Sequence, residues 1–348
     1  MIVRYFLFGL LLLLLNVSAD PISLAVGAVA SAGLGGMWIW KNTVKCKFYE
    51  CCQEPDVFLK SYKLEQDIEK YLFGQHLVKD IVVNSIRAHW KNPNPTKPLV
   101  LSFHGSTGSG KNYVSEIIAN NTYKYGLKSQ YVKHIVATKD FPDKTRMDDY
   151  QTKLSEIIEN ALAKCARTLF IFDETDKLPV QLLQIIKPYL DYHASDELDS
   201  RRSIFIFLSN KGGSRIAALT LEQYESEKPR EELKLEQFEK DLMDYSFNEE
   251  GGLQMSELIK RQLIDHFVPF LPLQQEHVKK CIEAYLIKRN RQDLIHNVEV
   301  ITKILNGLQY YPPTSKAFSS SGCKRVDAKT DLEIERNYEI RRSTKEDL

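Results

Sequence analysis

The run Gly105-Ser106-Thr107-Gly108-Ser109-Gly110-Lys111-Asn112 decides the fold. From Gly105 to Lys111 it fits the G-x-x-x-x-G-K pattern of a phosphate-binding loop. Its glycines let successive backbone N–H groups turn inward around a phosphate, and Lys111 reaches the outer phosphates. The next position normally carries Ser or Thr, whose hydroxyl sits on Mg²⁺. Here it is Asn112, which offers an amide oxygen as a different ligand. The loop therefore predicts a site for ATP and Mg²⁺ with unusual metal handling.

The flanks agree with the loop. Pro98-Leu99-Val100-Leu101-Ser102-Phe103-His104 is an apolar run that reads as a buried parallel strand. Tyr113-Val114-Ser115-Glu116-Ile117-Ile118 has apolar residues at helical spacing. Strand, loop and helix in that order are the setting a phosphate loop needs. A plain Gly/Ser-rich turn does not account for both flanks.

Further along, Arg167-Thr168-Leu169-Phe170-Ile171-Phe172-Asp173-Glu174 is an apolar strand ending in two carboxylates. An aspartate at a strand end beside a phosphate loop holds Mg²⁺, usually through water, which assigns Asp173. The following Glu174 is placed to polarise the water that attacks the γ-phosphate. Asp176 and Lys177 read as facing solvent or a neighbouring subunit. A third strand, Arg202-Ser203-Ile204-Phe205-Ile206-Phe207-Leu208-Ser209-Asn210, ends in an amide. Asn210 would orient the lytic water near the γ-phosphate. The fold class is α/β, a parallel-sheet domain followed by a smaller helical one.

Composition sets outer limits. The chain has 348 residues, with 47 Lys+Arg against 46 Asp+Glu. That near-neutral balance without a basic stripe argues against nucleic acid as a partner. Residues 1–19 read as a secretory signal: Arg4, an apolar core from Phe6 to Leu15, and the small-residue site Val17-Ser18-Ala19. An uncleaved anchor is the other reading. A second apolar stretch, within 20–40, runs from Ile22 to Trp40 without charge and ends in Trp38, Trp40 and Lys41. Its length is borderline for a span, and the indoles suit a membrane interface, so the expectation is a helix lying in or dipping into the lumenal leaflet, with a full span as the alternative. An ATP site behind a signal peptide points to the lumen of the endoplasmic reticulum.

Six cysteines are present, and an oxidising lumen permits them to pair; spacing leaves the pairing open. Asn120-Asn121-Thr122 is a glycosylation sequon at Asn120. Residues 41–60 read as a cysteine-containing linker, 61–270 as the large nucleotide-binding domain, 271–330 as the small helical domain and 331–348 as a charged tail. The closing Lys345-Glu346-Asp347-Leu348 permutes a retention tetrapeptide without matching it.

Taken together, Gly105 to Asn112, Phe172-Asp173-Glu174, Leu208-Ser209-Asn210 and Gly322-Cys323-Lys324 resemble the torsins, AAA+ ATPases of the endoplasmic reticulum lumen related to the Clp/HSP100 chaperones. The resemblance covers nearly the whole chain, and the Lys-Asn loop end and the Gly-Cys-Lys motif are specific to that family. It implies Asp173 and Glu174 as the Walker B pair, Asn210 as sensor 1 and Lys324 as sensor 2. It places Gly74, Gln75 and His76 at part of an adenine pocket. It also implies a Cys281–Cys323 disulfide, either structural or coupling redox state to nucleotide state. Two departures from Clp proteins follow from the same comparison. Counting back from Phe270-x-Pro272-Leu273, the arginine-finger position falls on Leu263, with Arg261 out of register. Torsins share this gap and take an arginine from a membrane activator with a lumenal domain of the lamina-associated-polypeptide type. In addition, the stretch from Phe141 to Tyr150 has no aromatic–glycine pair to grip a threaded polypeptide. The expectation is an activator-dependent ATPase of the endoplasmic reticulum and nuclear envelope, acting as a homo- or hetero-oligomeric ring on protein or membrane assemblies. The rivals are an ATP-binding scaffold with little turnover, a self-sufficient threading hexamer, and a disulfide-regulated chaperone.

Overall fold

The computed structural model describes residues 46, 48–192, 198–248 and 262–346. The expected leader at 1–19, the apolar stretch within 20–40 and Arg261 lie outside the described residues. By contacts the chain forms two units, Met1–Cys51 and Cys52–Leu348. The first carries a Cys46–Cys51 disulfide. The second holds the sheet, both hydrophobic cores and two further disulfides.

The second half of the expected linker is packed chain. Val57 and Leu59 are buried, and Phe58 and Lys60 donate backbone hydrogen bonds to Thr122 and Asn121. Two helices follow, α1 (Ser61–Tyr71) and α2 (His76–Lys91), each burying one apolar stripe such as Leu64 and Ile68. The nucleotide-binding core then alternates strand and helix: β1 (Leu99–His104), α3 (Lys111–Thr122), β2 (Val132–Val136), α4 (Met147–Lys164), β3 (Leu169–Asp173), α5 (Val180–Leu190), β4 (Ile204–Ser209), α6 (Gly213–Glu225), α7 (Glu236–Asn248) and β5 (His266–Pro269).

The five strands form one parallel sheet in the order β2-β3-β4-β1-β5. The central strands β1 and β4 are buried at every residue, because helices cover both faces. Between β3 and β4 the rings of Phe170 and Phe205 stack at 4.5 Å and those of Phe172 and Phe207 at 5.2 Å. Such pairs add about 0.5–1.5 kcal/mol each beyond their burial. Edge strand β5 is tied to β1 by Asp265, whose carboxylate accepts from Lys97 Nζ at 2.7 Å and from Val100 N at 2.8 Å.

The smaller part contains α8 (Gln275–Lys288), α9 (Val298–Asn306), the short pair β6 (Tyr310–Tyr311) and β7 (Phe318–Ser319), and α10 (Val326–Glu346). Its core runs from Leu273 to Ile334, while the large core ends at Leu271. The sequence boundary at residue 330 therefore cuts through α10, whose Ile334 is a core residue rather than part of a tail. Asn297 caps α9, its side chain accepting from Val300 N.

Candidate active site

The phosphate loop leaves the C-terminal end of β1 at the middle of the sheet, where strand order changes direction and α/β folds open a crevice. Two glycines are required by its shape. Gly110 has φ +112° and leads directly into α3, so its neighbours' N–H groups converge at a helix N-terminus. Gly108 has φ +80°, and a Cβ there would sit 1.9 Å from Ser321 O.

Lys111 is buried at the start of α3. Its Nζ donates to Gly105 O at 2.6 Å, Ser106 O at 3.0 Å and Asn210 Oδ1 at 3.0 Å. Burial lowers its pKa from 10.5 to about 8, with Asp173 and Asp176 pulling the other way. The lysine from the loop and the amide at the end of β4 are thus brought together. Asn112 Nδ2 donates to Asp173 Oδ2 at 2.5 Å, so the departing letter of the loop touches the carboxylate expected to hold the metal. Burial pushes the Asp173 carboxyl up, but the nearby His134 ring and hydrogen bonds from the Glu174 N–H and Asn112 outweigh it and hold it below the ordinary value. A deprotonated carboxylate beside an amide at the head of a glycine cradle suits a phosphate-bound divalent cation, so ATP and Mg²⁺ fit the residues present.

Glu174 sits in the left-handed region, φ +54°, at the turn after β3. Its carboxylate accepts a hydrogen bond from the Thr138 hydroxyl, on the short helical turn Ala137–Asp140 that follows β2. Asp176 does not face solvent as its sequence position suggested. Its side chain is 6 % exposed, and Oδ1 accepts from Asn210 N at 3.2 Å. It braces the end of β4 against the turn after β3, while Lys177 is exposed. No sequence signal marked that contact, because it depends on the neighbouring strand.

The small part closes over the loop. Cys323 N donates to Gly108 O at 3.2 Å, and Gly322 packs on Gly108. Lys324 is exposed on the turn just beyond, its N–H bonded to Ser321 O. Cys281 and Cys323 form a disulfide that fixes this turn to α8. Gln75 is fully engaged inside the protein: Nε2 donates to Ser109 O and Leu271 O, and Oε1 accepts from Leu271 N. His76 Nε2 meets Leu233 O at 2.9 Å. Gly74 lies against the His277 ring, where a Cβ would be 2.7 Å from Cδ2. At these expected adenine-pocket positions Gln75 supports the phosphate loop through Ser109 O, while His76 contacts Leu233 O. Arg230 belongs to the same seam and was missed. It is buried in a charge-rich stretch, donating to Gly74 O, Pro272 O and Gln274 Oε1.

Two other expected positions are also placed. Leu263 is 1 % exposed and faces the large core, so no cation is presented from it. Phe141 and Tyr150 pack edge to face at 5.3 Å and are buried, so neither is displayed to grip a chain. Asn120 is exposed on the last turn of α3. Among the described residues no helix is long and apolar enough to cross a membrane.

Comparison with known proteins places these features. A family model described as Torsin matches residues 46–172, and one described as Torsin-1A, C-terminal domain matches residues 273–332. A torsin-like protein of Caenorhabditis elegans is 61% identical over 325 residues, covering 91% of each chain. A torsin-like protein of Drosophila melanogaster is 38% identical over 320 residues, covering 91% of this chain and 93% of its own. Among solved structures, the Saccharomyces cerevisiae Hsp104–ADP complex superposes with a TM-score of 0.56 at 18% identity. A closed Hsp104 bound to ATPγS and casein gives the same TM-score at 15% identity. This chain spans about half of those Hsp104 chains, 48%, so the likeness concerns the AAA+ fold.

Proposed function

The chain belongs to the torsin family of AAA+ ATPases, and from that premise we propose that it hydrolyses ATP only when a partner supplies an arginine. The observation that carries this reading is Leu263. The finger position holds an apolar side chain facing the core, so nothing there can neutralise charge developing on the γ-phosphate. A missing finger costs about 10³–10⁵ in turnover in other nucleotide hydrolases.

The chain's own residues divide the remaining work. The glycine cradle and Lys111 bind the phosphates. Asn112 and Asp173 would hold the cation, which would supply charge neutralisation at the phosphates. Glu174 takes the proton of the attacking water once its carboxylate leaves Thr138, and Asn210 orients that water. Cys323 and Gly322, in contact with Gly108, carry the state of the phosphate loop to the small part and so to any surface it shares with a partner.

The partner in this reading is the lumenal domain of a lamina-associated-polypeptide-type membrane protein, within a homo- or hetero-oligomeric ring. The setting is the endoplasmic reticulum lumen and the nuclear envelope, with membrane association through residues 22–40. Three disulfides support an oxidising compartment. The work done is remodelling of protein or membrane assemblies through ATP-driven association and release. A second reading, an ATP-binding scaffold with little turnover, draws on the same buried Leu263.

The test is a trap. Glu174→Gln in ATP should hold the activator's lumenal domain longer than the unsubstituted protein does, read as complex lifetime by surface plasmon resonance. If it binds no better in ATP than the unsubstituted protein, the scheme fails.

A further inference from the structure

We infer that His134 is a positioning residue for Asp173, and that it sets how tightly a divalent cation joins the bound nucleotide. The inference rests on the ATPase reading and adds a residue that no phosphate-loop or strand-end motif marks.

The register of the sheet brings the two together. His134 lies opposite Ile171 on the edge strand β2, and Asp173 is two residues beyond Ile171 on the same face. His134 Nε2 is 3.8 Å from Asp173 Oδ2, a gap that a small rotation of either side chain closes to a hydrogen bond. The other partners of the carboxylate are already engaged. Oδ1 accepts from Glu174 N at 2.8 Å, and Oδ2 accepts from Asn112 Nδ2. A cavity of about 190 Å³ lies beside them, lined by Asn112, Ser115, Glu116, His134 and Ile171 among others.

The chemistry explains why a second donor matters in this chain. In the usual loop a hydroxyl ligates the cation and leaves the aspartate to others. Here Asn112 donates to the same Oδ2 that should face the cation's water shell. When Asn112 turns to present its amide oxygen to the cation, that donor is withdrawn. His134 then remains as the group that keeps Oδ2 aimed. Hydrogen-bond partners of metal-holding carboxylates are worth about 10- to 100-fold in metal affinity.

The experiment is a fluorescent-ADP titration of the full protein, first in EDTA and then against rising Mg²⁺ or Mn²⁺, for the unsubstituted chain, H134L and H134Q. Affinity in EDTA should be the same for all three. The cation concentration at half effect should rise about 10- to 100-fold in H134L, and H134Q, which keeps an N–H donor, should recover most of it. An unchanged cation midpoint in H134L overturns the inference, as does an equal loss with and without cation, which marks a merely structural role. If H134L does not fold, electron–nuclear double resonance of the Mn²⁺–ADP complex, with histidine nitrogens labelled as ¹⁵N, decides instead. Weak coupling to a histidine nitrogen just outside the first coordination sphere is expected, and its absence overturns the inference. Failure of the unsubstituted protein to bind nucleotide at all would remove the ATPase reading itself, and this inference with it.

Discussion

Lys111 holds a charge that burial opposes, and the sign of its shift makes two expectations. Its folded-state pKa of about 8 lies below the ordinary 10.5. Between those values the unfolded chain binds more protons, so this group's penalty on the folded protein is full below pH 8 and is relieved as pH rises toward 10.5. Phosphates arriving at the loop favour the charged form, so ADP binding near pH 8 should take up protons. Calorimetry in buffers of different ionisation enthalpy would read this, and Lys111→Ala should abolish the uptake and weaken binding about 10- to 100-fold. Glu174 behaves differently. Glu174→Gln removes the base while sparing the cradle, so turnover with activator should fall about 10²- to 10⁴-fold at unchanged ADP affinity, measured by phosphate release and fluorescence titration. Residue identity alone made Lys111, Asp173 and Glu174 legible, since each belongs to a short motif with a mechanism. Asp176 and His134 were not legible as parts of the site, because each matters through a neighbouring strand.

Strands β1, β3 and β4 could be read because both of their faces are covered, which leaves near-continuous apolar runs. Strands β2 and β5 were not identified. Both lie at sheet edges, β2 leaving the adjacent Lys133 and His134 unburied, and β5 having only four residues ending in Pro269. Their pairing is fixed by the sheet rather than by their own composition. The same holds for the turn carrying Arg230, where a charge-rich stretch hides a buried guanidinium. Burial lowers its pKa to about 10, and its hydrogen bonds to Gly74 O, Pro272 O and Gln274 Oε1 join the large and small parts. Arg230→Ala leaves buried carbonyls without donors and should cost about 3 kcal/mol, measured by urea unfolding. The contact of Gly108 with Gly322 is equally local. Gly322→Ala puts a Cβ 2.2 Å from Gly108 O, so it should loosen the small part from the loop and weaken nucleotide binding more than stability.

At the scale of the molecule, each core carries a disulfide whose partners spacing could not assign. Cys52–Cys165 closes 113 residues and Cys281–Cys323 closes 42. Chain entropy assigns these about 5 and about 4 kcal/mol, so reduction should lower the melting temperature even without nucleotide. Acid should act through two neutral histidines. Burial lowers His104 to about 4 and His277 to about 3, so the unfolded chain gains protons first as pH falls below about 6.5. Stability should decline through that window, and thermal melts from pH 7 to pH 4 would show it. The nucleotide domain was legible because a strand–loop–helix motif and two polar strand ends mark a phosphate-binding α/β sheet, while the AAA+ arrangement came from the resemblance to the torsins. The proposed need for a partner's arginine rests on the buried, uncharged Leu263. Steady-state ATP turnover of the purified protein, alone and with the lumenal domain of the proposed activator, tests this most directly. The account expects negligible turnover alone and strong stimulation that an arginine substitution in the partner removes; equal turnover in both conditions would contradict it.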